Sequence, residues 1–377
     1  MKGSIKKDKN TGLFYYVVDI GKEPITGKRR QKKKRGFKSK EEAEVALAKL
    51  ISNSRQSTAV SQSNMTLNEY MIQWFIERKN KVERTTYNNN KAFFKYYISP
   101  ALGCIKLSDM SPILLQNFAN NLTAKGNLSA GTIHKIFDVL KVVFQRAVIF
   151  KLISENYAKY VELPKLRKKE MNVWDLDQVN YFLSEIKEIR KADFYYTAYI
   201  IALLTGMRQG EILGLRWKDV SFNKKLIYIR QVLTHDGKEL RLGTKTIAGL
   251  RTISISDTLC EHLQKTKNDI KELKRIYGKK FQDNDLVICT KKGSPVNSSN
   301  LIRAFKKDIQ KVGLPIIRFH DTRHTHATML IEQNINPKLI SERLGHARIG
   351  ITLDIYSHVL PSMQQQVADK LDEMISL

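Results

Sequence analysis

The chain has 377 residues, enough for two or three domains that each bury a core. It carries 65 Lys and Arg against 37 Asp and Glu, a formal net charge of +28, which points to a polyanionic partner. A membrane is not expected: the most apolar run, Tyr195 to Leu204, is about half the ~20 residues of a spanning helix, and no secretory signal pattern opens the chain. Three widely spaced cysteines (Cys104, Cys260, Cys289) argue against a disulfide frame or a cysteine zinc site and suit a reducing cytoplasm.

Residues 1–57 form a small basic unit, with sixteen Lys and Arg against six Asp and Glu. Leu13 to Ile20 is aromatic and β-branched and predicts a strand, in a hairpin with Ser4 to Lys7 across the turn residues Asp8 to Gly12. Arg29 to Phe37 predicts a third strand. Ser39 and Glu42 predict a capping box for a helix whose apolar face is Ala43, Ala46, Leu47, Leu50 and Ile51. Residues 58–64 end a Ser-rich polar linker that begins near Ser52.

Residues 65–160 read as a helical domain. Thr66 and Glu69 open a capped helix with Leu67, Tyr70, Met71, Trp74 and Phe75 inward. A second helix is expected over Thr86 to Tyr97, and a third starts at Ser111-Pro112. The stripe Ile133, Ile136, Phe137, Leu140, Val143, Phe144 predicts a fourth. Residues 161–172 are a basic, proline-containing connector. Residues 173–377 are expected to be mostly helical around one sheet insertion, built from Leu226 to Gln231 and Leu250 to Ser256. Asn336-Pro337 starts a late helix, and Met363, Val367, Leu371, Met374 and Ile375 lie at helical spacing in the tail.

Three stretches carry chemistry. TGMRQGEILGLRW (Thr205 to Trp217) places Arg208 after the apolar run, with Glu211 as its expected salt-bridge partner. LGTKTIAGLRTISIS (Leu242 to Ser256) places Lys245 on a hairpin, with Lys238 as the competing lysine. FHDTRHTHATMLIEQNINPKLISERLGHARIGITLDIYSH (Phe319 to His358) holds His320 and Arg323, then Leu-Gly-His at His346, then Tyr356. Guanidinium and imidazole groups can grip phosphodiester oxygens while a phenol attacks phosphorus. A phenol of pKa near ~10 needs help to ionise. The i, i+4 spacing of His320 and His324, with His326 close by, also admits a metal site, but no Glu follows His320 and no cysteine or acidic ligand cluster lies nearby.

At these residues the chain resembles the tyrosine recombinases of the lambda-integrase family, whose pattern is Arg, Lys, His-x-x-Arg, His or Trp, then Tyr. Arg208, Lys245, His320, Arg323, His346 and Tyr356 fill it in order. The resemblance is strong over about the last two hundred residues and looser over the preceding hundred. It implies a multidomain fold, mainly α with small β-sheets: an N-terminal three-stranded sheet plus helix that binds arm-type DNA, a helical core-binding domain, and a mixed α+β catalytic domain. By the same resemblance, Tyr356 is the nucleophile, Arg208 and Arg323 clamp the phosphate, and Lys245 protonates the leaving 5′-oxygen. His346 donates to a non-bridging oxygen, and His320 either takes the Tyr356 proton or holds the phosphate.

The implied activity is site-specific integration and excision of a mobile element through a 3′-phosphotyrosyl bond, with no nucleotide, metal or other cofactor. The implied partners are core-type and arm-type double-stranded DNA, three further copies in a homotetramer joined by tail exchange, an excisionase and a host DNA-bending protein, in the bacterial cytoplasm. A type IB topoisomerase shares this chemistry, but the basic N-terminal unit and apolar tail argue against it. A DNA-binding regulator with a degenerate site is opposed by the complete set of six groups.

Overall fold

Strand β2 (Phe14–Lys22) is the middle of the N-terminal sheet, antiparallel to β1 (Gly3–Lys7) and β3 (Arg29–Phe37). The computed structural model of the chain describes residues 3–7, 11–22, 29–48, 64–166, 172–190, 193–234, 236–243, 249–353 and 374. The expected polar linker and most of the tail therefore lie outside the described residues, as do Leu50 and Ile51. Side-chain alternation splits the sheet into two faces. Tyr16, Val18 and Phe37 pack with Ala43 and Leu47 of helix α1 (40–48). Tyr15 and Val17 point the other way, paired across the strands with Lys6 and Arg35 and with Ser4 and Lys33. Lys33 Nζ lies 4.1 Å and the Arg35 guanidinium 5.9 Å from the centre of the Tyr15 ring, so this open face is cationic. At the start of α1, Ser39 Oγ accepts from Glu42 N (3.1 Å). The Glu42 carboxylate takes the Lys38 N–H (3.0 Å), one residue before the expected cap.

The helical domain comprises α2 (Leu67–Arg78), α3 (Arg84–Phe93), α4 (Ser99–Leu102), α5 (Pro112–Ala124) and α6 (Ala130–Ile149). Thr66 and Glu69 make the reciprocal capping box, and all five residues expected on the inner side of α2 are buried. The second helix differs from expectation. It starts two residues earlier and, instead of ending at Tyr97, passes through one π turn (Phe94–Ile98) into α4. Pro100 has no N–H to continue an α ladder, and the wider turn, with Ser99 N donating to Phe94 O, carries the chain past it. The same turn delivers Ile98 and Leu102 to the core and leaves Tyr96 outside.

Residues 169–377 form a second compact unit. Its helices are α7 (Leu176–Ile189), α8 (Tyr195–Thr205), α9 (Gln209–Leu213), α10 (Asp257–Tyr277), α11 (Ser298–Val312), α12 (Asp321–Glu332) and α13 (Pro337–Leu344). Helix α8 is apolar on nearly every side because α7, α10, α11 and α12 all pack against it. Trp174, Phe182, Tyr199, Phe305 and Phe319 form an aromatic cluster beside it. Tyr199 Oη donates to the fully buried Asp308 (2.9 Å), which Arg190 grips with Nε and Nη2 (both 2.8 Å).

Two small sheets replace the single expected insertion. One is β4 (Val220–Ser221), β5 (Leu226–Tyr228) and β8 (Thr252–Ser254); the other is β6 (Gln231–Leu233) and β7 (Leu240–Leu242). The predicted strand Leu226 to Gln231 breaks because β6 turns to pack against α9. A Cβ on Gly210 would lie 2.7 Å from Leu233 O, and one on Gly214 2.7 Å from the Val232 and Leu233 backbone. Two glycines four residues apart let helix and strand meet at main-chain distance. Gln231 Nε2 then donates to Gly214 O (3.1 Å).

Candidate active site

Helix α8 ends at Gly206 in the left-handed conformation (φ 64°), where a side chain would also strike Leu344 and His326. The chain turns there and presents Arg208 in extended geometry as the N-cap of α9. Arg208 N donates to Glu211 Oε2 and Arg208 Nη1 to Glu211 Oε1, both at 2.9 Å, which is the contact expected from the sequence. Arg251, at the start of β8, grips the same carboxylate with Nη1 (3.1 Å) and Nη2 (2.9 Å). Burial alone would raise the Glu211 pKa. Arg251 and then Arg208 overcome this and hold it below the usual carboxylate value.

Arg323 emerges from the first turn of α12, one turn beyond His320, the N-cap residue of that helix. It is almost wholly buried and donates from Nη1 to Gly206 O (2.7 Å) and from Nη2 to Leu344 O (2.6 Å). Burial, and then the charge of Arg208, lower its pKa to about 9, which leaves it protonated at neutral pH. Arg208 Nη2 donates to the next carbonyl, Gly345 O (2.9 Å). The preceding one, Arg343 O, accepts from Arg251 Nε (2.7 Å). Three successive carbonyls at the C-terminus of α13 are thus capped by three guanidinium groups. These carbonyls have no partner within the helix, and they form its negative pole.

His346 follows directly. Its N–H donates to Ser341 O (3.0 Å), and its Nδ1 is paired with Thr352 Oγ1 (2.9 Å). Burial, then Arg323 and Arg208, lower its pKa to about 4, so it is neutral at physiological pH. His320 keeps an exposed edge and meets His324 edge-to-face at 5.4 Å. Crowding by protein atoms, then His324 and Arg323, lower its pKa too. His326 faces away from this pair: Nδ1 is 2.8 Å from Leu203 O and Nε2 accepts from Arg343 Nε (3.1 Å). The three histidines thus do not converge, and no group of three His, Cys, Asp or Glu among the described residues is arranged to hold a metal ion.

Arg208, Arg323 and His346 therefore meet at the C-terminus of α13, with His320 at the N-cap of the helix that carries Arg323. Lys245 and Tyr356 lie outside the described residues. Lys238 sits exposed in the turn between β6 and β7, at the opposite end of β7 from the segment that contains Lys245. Arg251 and Arg343 are the residues the sequence reading missed. Arg251 stands inside the stretch singled out for Lys245, where a charged residue in phase with the inward-facing Ile253 and Ile255 was the available signal. Arg343, three residues before His346, gave none.

Residues 172–363 match the phage integrase family, and residues 4–54 and 66–123 match an arm DNA-binding domain and an N-terminal SAM-like domain of phage integrases. The chain belongs to the phage integrase family. It is a tyrosine-type site-specific recombinase, an enzyme that cleaves and rejoins DNA. This integrase is 30% identical to a "Tyrosine recombinase XerC-like" of Caldanaerobacter subterraneus subsp. tengcongensis, over 97% of each chain. It is 30% identical to the "ICEBs1 integrase" of Bacillus subtilis (strain 168), over 99% of this chain and all of that one. Its fold resembles that of the Tn1549 transposon integrase solved with transposon right end DNA (TM-score 0.67, 21% identity, 80% of this chain and 99% of that one). Among its described residues no helix is long and apolar enough to cross a membrane.

Proposed function

We propose that the convergence of Arg208, Arg323 and His346 is the phosphate-binding half of a phosphodiester-exchange site whose nucleophile is Tyr356. The supporting observation is the set of guanidinium groups locked onto the α13 carbonyls, which holds each fork in place before DNA arrives. Arg208 is partly exposed and keeps N–H groups free of its two acceptors, so it can take a non-bridging oxygen. The Thr352 hydroxyl can donate to Nδ1, and in that arrangement neutral His346 carries its proton on Nε2 and offers it to the other non-bridging oxygen. Tyr356 Oη forms a bond to phosphorus, the bond from phosphorus to the 5′-oxygen breaks, and Lys245 gives that oxygen its proton. The phenolic proton passes to His320 or, where His320 holds the phosphate instead, to water. A 5′-hydroxyl from the partner duplex then reverses the steps, so the phosphotyrosyl ester conserves the bond energy without a cofactor.

Two duplexes cut at two positions each require four nucleophiles, hence a homotetramer, with the apolar tail as the exchanged contact. The domains are proposed as residues 1–57 for arm-type sites, 65–160 for core-type sites and 173–377 for catalysis, joined by linkers 58–64 and 161–172. The open face of the N-terminal sheet, with Lys6, Tyr15, Lys33 and Arg35, supplies the arm-site surface. The end-to-end match to the ICEBs1 integrase supports an element integrase working in the bacterial cytoplasm, with an excisionase and a DNA-bending protein as accessory partners. Tyr356→Phe removes the phenol oxygen and keeps the ring. It is expected to bind core-site DNA as the parent does and to form no denaturant-resistant adduct with a nicked suicide duplex. An adduct from this variant would assign the nucleophile elsewhere.

A further inference from the structure

The two proposed clamp arginines do not set their own positions. Each has one Nη on a carbonyl of the α13 C-terminus, so the spacing of the clamp follows the placement of that turn. Two other arginines anchor the turn. Arg343, within its last residues, donates from Nε to His326 Nε2 on α12 (3.1 Å), from Nη1 to Ser254 O on β8 (3.0 Å) and from Nη2 to Leu204 O on α8 (3.0 Å). Arg251 donates to Arg343 O and clasps Glu211, the carboxylate that orients Arg208. The acceptor on His326 is fixed as well. Leu203 O can only accept, so His326 Nδ1 carries the proton and Nε2 offers its lone pair to Arg343.

We infer that Arg343, together with Arg251, is a positioning residue of the phosphate clamp: by tying the last turn of α13 to α8, α12 and β8 it sets the distance between Arg208 and Arg323. This rests on the reading of Arg208 and Arg323 as the clamp. Neither positioning residue need touch DNA. Both fix where the α13 carbonyls stand, and Arg251 also holds the Glu211 carboxylate that orients Arg208. Misplacing a catalytic group by about 1 Å costs on the order of 10²-fold in rate. The loss should depend on the charge that the clamp is there to meet.

The test compares single-turnover strand cleavage of a core-site duplex bearing either a normal scissile phosphate or an uncharged methylphosphonate at that position. The core site is taken from the sequenced junctions of the element. Arg343→Met keeps the apolar stem and removes the fork. It is expected to be slower than the parent by on the order of 10²-fold on phosphate and within a few-fold of it on methylphosphonate, with DNA affinity and melting temperature near the parent's. Arg208→Ala is the reference and should show the same relief. If Arg343→Met fails to fold, Arg343→Lys and Arg251→Lys carry the comparison, because each keeps a charge but loses the fork. Equal slowing on both substrates, or lysine variants as fast as the parent on phosphate, would overturn the inference. Relief for Arg208→Ala without relief for Arg343→Met sinks this inference alone, whereas no relief for Arg208→Ala sinks the clamp reading and this inference with it.

Discussion

His326 is a buried side chain away from the proposed chemistry, and it accepts a hydrogen bond from the arginine that anchors the α13 terminus. Its ring must stay neutral, because Nε2 is the acceptor for Arg343, and burial and then the charge of Arg343 lower its pKa to about 4. In the unfolded chain a histidine titrates near ~6.5. Between about pH 6.5 and 4 the unfolded state therefore binds a proton that folded His326 refuses, and stability falls as pH falls. Urea unfolding of this unit, followed by Trp174, whose main-chain N–H donates to Thr325 Oγ1 beside His326, should lose roughly 2 kcal/mol from this group between pH 7 and 5. His326→Gln, which cannot titrate, should show a shallower pH dependence. An unchanged slope would place the titration on other groups. The sequence disclosed His326 as one more histidine near the site, but not its tautomer. That depends on Leu203, more than a hundred residues away, and on Arg343.

At the scale of elements, what could be read from the sequence was local and what could not was mutual. The caps at Thr66, Ser111 and Asn336 lie within a few residues of what they cap, and each was visible in the chain. The stripe on α6 was visible for the same reason. The π turn before α4 was not, because the benefit of that register shift is burial of Ile98 and Leu102 against other helices. The division of one expected sheet into two was hidden likewise, since β6 turns to meet α9. Gly210 and Gly214 record that meeting. Gly214→Ala should push α9, and with it Arg208 and Glu211, off β6. Such overpacking costs about 1–3 kcal/mol, readable as a drop in melting temperature together with slower cleavage. Gly131→Ala, whose nearest neighbour would be Ser129 Oγ at 4.0 Å, is the matched control and should be neutral or mildly stabilising. A Gly214→Ala protein with parental stability and rate would show that the strand can yield.

For the whole molecule, the distribution of charge fits a division of labour. The open face of the N-terminal sheet carries Lys6, Lys33 and Arg35, whereas Arg208, His320, Arg323 and His346 all lie beyond residue 200. Deleting residues 1–64 should leave cleavage of a core-site suicide duplex intact and abolish recombination that depends on distant arm-type sites. It should also lower the salt sensitivity of DNA binding, because fewer phosphate contacts release fewer counterions. A truncated protein unable to cleave the core duplex would make the N-terminal unit part of the catalytic assembly. The basic N-terminal sheet and the order of the site residues were legible in the sequence, because charge density and motif order survive without knowledge of packing; the linker reading falls outside the described residues.

Four arginines, Arg208, Arg251, Arg323 and Arg343, surround the α13 terminus, and two of them, Arg208 and Arg251, share the carboxylate of Glu211; this bears on how such a gene decays. Arg208 is the most expendable of the four for folding. If a chance codon change removes it, Glu211 keeps Arg251, Gly345 O can turn to water, and one source of repulsion on buried Arg323 disappears. On the proposed role of Arg208, catalysis is lost by a substitution that leaves the protein foldable and still able to occupy DNA. Stranded copies of the element, no longer selected for movement, have an easy route to persist as silent occupants of their own attachment sites.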